Sequence, residues 1–177
     1  YYDGNQWVNI TSDSPEAQTG GTRGVWMGGQ SPSNQDRIDY ANLDSTGNAI
    51  DFGNLTTARG SNGDGGMASR TRGFIANGAS PIVGQIGYIT FSTTGDEVDF
   101  GDMASNITNG VGTASDSTRG LMFGGYAAPV TTNVIQYITM ASSGNGVDFG
   151  DLTDSGSSSA VASPTRAVTI DNSMNAI

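Results

Sequence analysis

An internal repeat is the feature that most constrains how this chain folds. The tripeptide Thr-Arg-Gly, or Thr-Arg-Ala in the last copy, recurs at steps of 49, 47 and 47 residues, starting at Thr22, Thr71, Thr118 and Thr165. Self-similarity at a period of about 20–50 residues is typical of solenoids, propellers and related arrays. A residue that occurs once per repeat is therefore first a structural part, and only then a candidate for chemistry.

Two further motifs follow the Thr-Arg-Gly of the first three copies. Each copy continues with Ile-x-Tyr, and a Phe inside Asp-Phe-Gly comes twelve residues after the Tyr. The residues of these motifs are Tyr40, Tyr88 and Tyr137, then Asp51, Asp99 and Asp148, then Phe52, Phe100 and Phe149. We expect them to be structural residues of the repeat.

The third copy predicts four short strands. Residues 121–123 form an apolar run whose end at Gly124-Gly125 needs the backbone freedom of glycine, and residues 134–140 are rich in β-branched and aromatic side chains. Residues 143–146 predict a hairpin turn whose glycines supply positive φ, and 147–149 the return strand. A weak strand at 160–162 completes the repeat. No stretch keeps a 3.6-residue apolar period, so we expect an all-β fold with one antiparallel four-stranded sheet in each repeat of about 47 residues.

This size fits a β-propeller blade. We expect a single domain over 1–177, with three whole blades and one blade split between the two termini. Its parts are 1–21 (second half of the split repeat), 22–70, 71–117, 118–164 and 165–177 (first half of the split repeat).

Composition excludes several classes of function. The chain has no Cys, His or Lys, which removes thiolate and imidazole chemistry and Schiff-base formation. Its net charge of −10 repels nucleic-acid backbones. No apolar window of about 18 residues is present, so we expect no membrane insertion.

The order of the motifs resembles known repeats. A strand that ends in Gly-Gly, as in Phe123-Gly124-Gly125 and Met27-Gly28-Gly29, followed by a Tyr strand and an aromatic return strand, resembles the kelch repeat of β-propellers. Kelch repeats normally have Trp where this chain has the Phe of Asp-Phe-Gly. The fuller pattern over 22–177 looks like the repeats of tail-fibre-like proteins of aquatic bacteriophages. The resemblance implies a propeller-like fold and a place at the virion surface or outside the cell.

The N-terminus looks like the missing half of the last repeat. Residues 1–10 read as a hairpin with an Asp-Gly turn, similar to the Tyr-Asp-Gly-x-x-Trp hairpin of phage structural proteins. The two half repeats either join within one chain to close a ring, or join between chains, which would give an open array completed by strand exchange. The residues expected at this junction are Tyr2, Trp7, Val8, Ile10, Val168, Ile170 and Ile177.

The repeated arginines offer one candidate site. Arg23, Arg72, Arg119 and Arg166 would bind an acidic sugar if they converged on an axis. We expect the alternative, in which each Arg forms an ion pair with an Asp-Phe-Gly carboxylate of another blade or donates to loop carbonyls.

The sequence gives little support for a catalytic role or for a bound cofactor. Asp51, Asp99 and Asp148 are the candidate carboxylates for a glycosidase, but a catalytic pair should be unique to one site and these recur. Residues 61–66 offer oxygen ligands for Ca²⁺ without the spaced acids of an EF-hand loop, so we expect no cofactor.

Two surface features complete the candidates. Asn9, Asn54 and Asn106 begin glycosylation sequons. Trp26 and Tyr126 flank the Gly-Gly corners, where we expect packing in the core or at the corner, with stacking on a glycan as the alternative.

The sequence therefore predicts a non-enzymatic structural subunit of an extracellular fibre or phage tail fibre. Its partners are copies of itself, head to tail, through the terminal half repeats. The alternative is a propeller that binds a cell-surface glycan.

Overall fold

The computed structural model describes residues 22–60, 66–76, 78, 84–105, 107, 110–156 and 158–171. These residues form strands and turns without a helix, so the described chain contains no helix that is long and apolar enough to span a membrane. The strands are β1 (Arg23–Met27), β2 (Arg37–Asn42), β3 (Ile50–Asn54), β4 (Gly66–Ala68), β5 (Arg72–Ala76), β6 (Gln85–Thr90), β7 (Val98–Asp102), β8 (Gly112–Ser115), β9 (Arg119–Phe123), β10 (Tyr126–Ala127), β11 (Val130–Thr131), β12 (Val134–Thr139), β13 (Val147–Asp151), β14 (Ser158–Ser163) and β15 (Arg166–Asp171).

The strands form three antiparallel sheets that follow the repeat. The first sheet has the order β1-β2-β3, the second β4-β5-β6-β7, and the third β8-β9-β12-β13. Strands β14 and β15 pair as a C-terminal hairpin, and β10 and β11 form a small separate hairpin that the sequence did not indicate. The all-β, antiparallel prediction is confirmed, and the described strands do not close into a barrel or a ring.

The last strand of each repeat lies in a different sheet from the one expected. The weak strand at 160–162 belongs to β14, which pairs with the next Thr-Arg strand, β15, in the register Val161↔Val168. Strands β4 and β8 likewise precede and pair with the Thr-Arg-Gly strands of the second and third sheets. The reason is local. A tight turn joins β4 to β5, β8 to β9 and β14 to β15, whereas a longer connection separates β4, β8 and β14 from the preceding Asp-Phe-Gly strand.

Glycine conformations confirm one expectation and correct another. Gly124 and Gly125 end β9 with φ of 55° and 105°, as the Gly-Gly corner predicted. The glycines of the 143–146 turn do not have positive φ, so that expectation was wrong. Positive φ occurs instead at Gly150 of Asp-Phe-Gly, at 142°, where the register of β12 and β13 shifts.

Each sheet has two faces with different neighbours. The face that carries the Tyr and the Phe of the motifs is here called the front face, and the opposite one the back face. In the second sheet, Phe74 and Tyr88 lie opposite each other on the front face, and Ile75 and Gly87 on the back face. The front face of one sheet packs on the back face of the next.

Candidate assembly interface

Apolar side chains join consecutive sheets through their opposite faces. In the first interface Ile38 and Phe52 of the first sheet pack with Ile75 and Ile89 of the second. The second interface repeats the arrangement with a larger cluster. Its main members are Met67, Phe74, Ala76, Ile86 and Phe100 from the second sheet, and Met122, Ile138 and Met140 from the third repeat.

The Thr-Arg-Gly arginines reach from one sheet to the next. The Arg23 Nη1 donates to the carbonyl of Phe91 at 2.5 Å, and the Arg72 Nη1 donates to that of Met140 at 3.1 Å, 68 residues ahead in both cases. The guanidinium of Arg72 also lies 4.5 Å from the ring centroid of Tyr88. Arg23 lies over Tyr40 and Arg119 over Tyr137 in the same way.

The expected ion pair between these arginines and the Asp-Phe-Gly carboxylates is absent from the described residues. The carbonyl alternative is the one that the structure contains. Asp51, Asp99 and Asp148 are instead exposed on strands β3, β7 and β13, and no group of three or more acidic side chains among the described residues could hold a metal ion.

The strands that carry Asp-Phe-Gly, β3, β7 and β13, form what is here called the outer edge of each sheet, and the opposite edge, with β4 and β8, is called the inner edge. Backbone hydrogen bonds join the sheets at the outer edge. Gly95 N donates to the Phe52 carbonyl at 2.8 Å, and Gly144 N donates to the Phe100 carbonyl at 2.9 Å. A Cβ on Gly101 would lie 2.5 Å from the Gly144 carbonyl oxygen. In the first two copies the Gly of Asp-Phe-Gly is therefore needed both for its positive φ and for this close approach, whereas a Cβ on Gly150 of the third copy would meet no neighbour.

Side-chain acceptors in the same turns add a second link. The Oδ1 of Asp96 accepts from Asn54 N at 2.9 Å, and the Oδ1 of Asn145 accepts from Asp102 N at 3.0 Å. Each acceptor comes from the next sheet and satisfies an edge N–H of the previous one. An Asp or Asn eight residues after the Tyr is thus part of the stacking contact.

A third acceptor lies buried between the sheets and switches position from one interface to the next. In the first interface it is Glu97, whose Oε2 accepts from Thr56 N at 2.7 Å. In the second it is Gln136, whose Oε1 accepts from Ala104 N at 2.6 Å. Counted from the Tyr, Glu97 corresponds to Gly146 and Gln136 to Gly87, so each interface has one long side chain opposite a glycine.

The buried polar site between the sheets differs in charge between the two interfaces. Glu97 forms a buried ion pair with Arg59. In the next repeat the residue at the position of Arg59 is Ile107, which is fully buried, and the acceptor is the neutral Gln136. A carboxylate is present only where a cation accompanies it, as expected for a site without water.

The Gly of Thr-Arg-Gly allows the sheets to approach on the back face. A Cβ on Gly120 would lie 2.5 Å from the Sδ of Met67 in the second sheet and 3.1 Å from the Cε of Met140. A Cβ there would require the Met67 side chain to shift.

The turn before each Thr-Arg-Gly strand is fixed by a side-chain acceptor. In the third sheet the Oδ1 of Asp116 accepts from Thr118 N and Arg119 N, both at 2.6 Å, and from the Thr118 hydroxyl at 2.9 Å. Burial raises the pKa of Asp116, but these hydrogen bonds and the Arg119 charge outweigh it and lower the pKa below its ordinary value. In the second sheet the Ser69 hydroxyl accepts from Thr71 N and Arg72 N.

In the part of the chain that the structure describes, the stack is open after the third sheet. Phe52 and Phe100 are each 3% exposed, because the next sheet covers them, but Phe149 at the same position is 54% exposed. Between this front face and the tip of the C-terminal hairpin lies a groove of about 360 Å³, whose lining includes Arg119, Leu121 and Phe149. The hairpin covers the inner half of the third sheet, through contacts of β14 and β15 with β8, and leaves the outer half uncovered.

The back face of the first sheet is the other open end. Trp26 is 58% exposed and Leu43 is 70% exposed. The expectation that Trp26 packs inside the fold was wrong, because within the described residues no sheet lies against this face. Tyr126 is partly buried beside the second Gly-Gly corner, as expected.

The junction residues that the structure describes are both exposed. Val168 and Ile170 lie on β15, 53% and 73% exposed. The other junction residues, Tyr2, Trp7, Val8, Ile10 and Ile177, lie outside the described residues. The same holds for Asn9, Asn106 and most of the 61–66 loop. Asn54 is exposed, while the hydroxyl of its sequon partner Thr56 bonds to Glu97.

The sequence identified the repeating residues but missed the ones that differ between repeats. Arg59, Glu97 and Gln136 occur once each and belong to no motif, so no periodic signal marked them. Asp96 and Asn145 had a usable signal, since they occupy the same position after Tyr88 and Tyr137.

No protein-family model matches this chain, and no curated protein matches its sequence.

Proposed function

We propose that this chain is a non-enzymatic structural module of an extracellular fibre or virion-surface fibre, which self-associates through its terminal half repeats. The observation that carries the proposal is the repetition of one sheet-to-sheet contact set, together with its absence at both ends of the described residues. Arg119 is oriented over Tyr137 like its two predecessors, yet no sheet of the described chain follows to cover Phe149.

The contacts favour an open array over a closed ring. Consecutive sheets are joined at the outer edge, by Gly95 and Gly144, and the second and third sheets are also joined at the inner edge, where the Ser115 hydroxyl donates to the carbonyl of Ala68 at 3.0 Å. Contacts at both edges keep neighbouring sheets close along their whole width, whereas blades that surround an axis diverge outwards. A stack held in this way grows by adding repeats.

Sedimentation velocity over a range of protein concentrations, with negative-stain imaging, tests the proposal. We expect assemblies that lengthen with concentration, and loss of this growth when residues 1–11 are removed. A full-length chain that stays monomeric at all concentrations, or a truncated chain that forms threads of unchanged length, contradicts it.

A glycan-binding role is the second candidate, and the groove beside Phe149 favours it. An exposed aromatic ring next to Arg119 is a combination that binds sugars in other proteins by stacking and hydrogen bonding. A glycan array with the Phe149→Ala variant as control distinguishes the two roles. Binding that depends on Phe149 in a monomeric protein supports this role, and no binding by a protein that forms threads excludes it.

A further inference from the structure

The back face of the first sheet keeps the groups that the second and third sheets use to contact the sheet before them. Those groups are a Gly after the Thr-Arg, an apolar residue two positions later, a carbonyl three residues after the Tyr, and the two side-chain acceptors. At the corresponding positions the first sheet has Gly24, Trp26, Leu43, Asn48 and Asp39. Within the described residues no sheet precedes this one, so these groups contact no earlier sheet there, although the Asp39 carboxylate lies 3.8 Å from the Arg37 guanidinium of its own strand.

The C-terminal hairpin keeps the matching half. Its register places Val161 opposite Val168, as Met67 lies opposite Phe74 and Ala114 opposite Leu121 in the preceding sheets. Val161, Val168 and Ile170 therefore belong to a front face. Arg166 occupies the position from which Arg23 and Arg72 reach the next sheet.

Both surfaces are apolar and exposed. Trp26, Leu43, Val161, Val168 and Ile170 are half of the ten large hydrophobic residues that the described chain exposes. Three of the others, Ile50, Val98 and Val147, share one position at the start of the Asp-Phe-Gly strands and belong to neither surface. Exposed apolar side chains gathered at the two ends of a stack indicate contact surfaces.

We propose that these two surfaces are the halves of one head-to-tail interface between copies of this chain. The hairpin of one copy lies against the back face of the first sheet of the next copy. Trp26 of the second copy covers Val161 and Val168 of the first, and the Arg166 guanidinium donates to the Leu43 carbonyl, as Arg72 does to the Met140 carbonyl.

A second copy is the occupant because the geometry continues an interface that the chain already forms twice. The same chain cannot supply both halves in this arrangement. Three sheets and the hairpin, spaced by about 10 Å, place the two surfaces roughly 30 Å apart at opposite ends. A heterologous contact of this kind adds copies indefinitely unless its rotation closes a ring.

The inference rests on the proposed self-association and names its contact surfaces. The hairpin engages the inner half of the first sheet. Asn48 and Asp39 lie towards the outer half, where the remaining strands of a completed fourth repeat would contact them.

Two single variants block one surface each. Trp26→Asp blocks the back face and Val168→Asp blocks the hairpin, and both sites are exposed, so neither variant loses core packing. Each should weaken association at least about 30-fold, as expected for a central contact residue. Val98→Asp is the matched control, because Val98 is about as exposed but lies outside both surfaces.

Mixing the two variants is the decisive experiment. The Trp26→Asp chain keeps a functional hairpin and the Val168→Asp chain keeps a functional back face, so an equimolar mixture should form dimers and stop there. Circular dichroism of each variant verifies folding, and Leu43→Asp with Ile170→Asp provides an independent pair. Monomers in the mixture, or variants that assemble like the Val98→Asp control, overturn this interface while leaving self-association through residues 1–11 intact. A wild-type chain that never associates overturns both proposals.

Discussion

Truncating the same Phe in two repeats measures how much a following sheet contributes to stability. Phe100 and Phe149 occupy equivalent positions in equivalent strands, β7 and β13. Phe100 is enclosed by the third sheet, whereas Phe149 faces the open groove. We expect Phe100→Ala to be much more destabilising than Phe149→Ala, although sequence alone treats the two positions as identical.

The magnitude follows from what each ring contacts. Truncating a fully buried Phe costs about 3–5 kcal/mol, since it loses transfer free energy and leaves a cavity. Phe100 also has edge-on contacts with Phe74 at 5.2 Å and Tyr88 at 6.1 Å between ring centroids. Phe149 is only about half covered, leaves no enclosed cavity, and should cost about half of the 1.5–3 kcal/mol for full burial, or roughly 1 kcal/mol. The two variants should therefore differ by about 2–4 kcal/mol.

Urea unfolding at low protein concentration, where neighbouring copies do not cover Phe149, provides the measurement. Val147→Ala is the control, because Val147 lies on the same strand and is exposed. The cost of Phe149→Ala should rise with protein concentration as association buries the ring. Equal costs for the two Phe variants at low concentration would show that the third front face is already covered, and would refute the open stack.

Three further perturbations test the contacts between and within sheets. Gly120→Ala should destabilise the protein by about 1–3 kcal/mol, measured by urea unfolding, because the new Cβ meets the Met67 sulfur. Glu97→Gln should cost about 3–5 kcal/mol by removing the carboxylate that balances the buried Arg59 charge. Arg59→Met in the same chain should recover part of the loss, whereas no recovery would speak against the ion pair as the cause. The pKa of Asp116 is lowered in the folded protein, so the wild type should have a higher free energy of unfolding than Asp116→Asn at pH values above the ordinary pKa of 3.8. This difference should vanish as the pH falls through the folded pKa, and a difference that stays constant from about pH 7 to about pH 2 would disprove the reasoning.

Much of the local structure follows from the sequence. The strands around Tyr88 and Tyr137 lie where β-branched and aromatic residues predicted them, and the Gly-Gly corner at Gly124 has the positive φ expected of it. These features depend on neighbouring residues only, and turn chemistry and strand preference act over a few positions. The assignment of β14 to the following sheet was not predicted, because pairing partners are chosen by connection length and packing as well as by strand preference.

The contact surfaces show where sequence reasoning stops. Arg23 and Arg72 were recognised as equivalent, but their acceptors, the Phe91 and Met140 carbonyls, belong to every residue type and leave no sequence signal. Trp26 was expected to pack in the core or at the Gly-Gly corner, because aromatic side chains bury a large apolar area. Its exposure depends on whether a sheet lies against that face, which is a property of the assembled stack.

The sequence by itself determined the repeat, its period, the all-β class and the residues that each repeat contributes, because these follow from periodicity and local turn preference. Only the tertiary structure decided which face of each sheet meets the next, which acceptor lies between them, and which of three equivalent Phe residues is left uncovered. Burial is a relation between repeats that are about 47 residues apart, so identical motifs differ in environment according to whether another repeat follows.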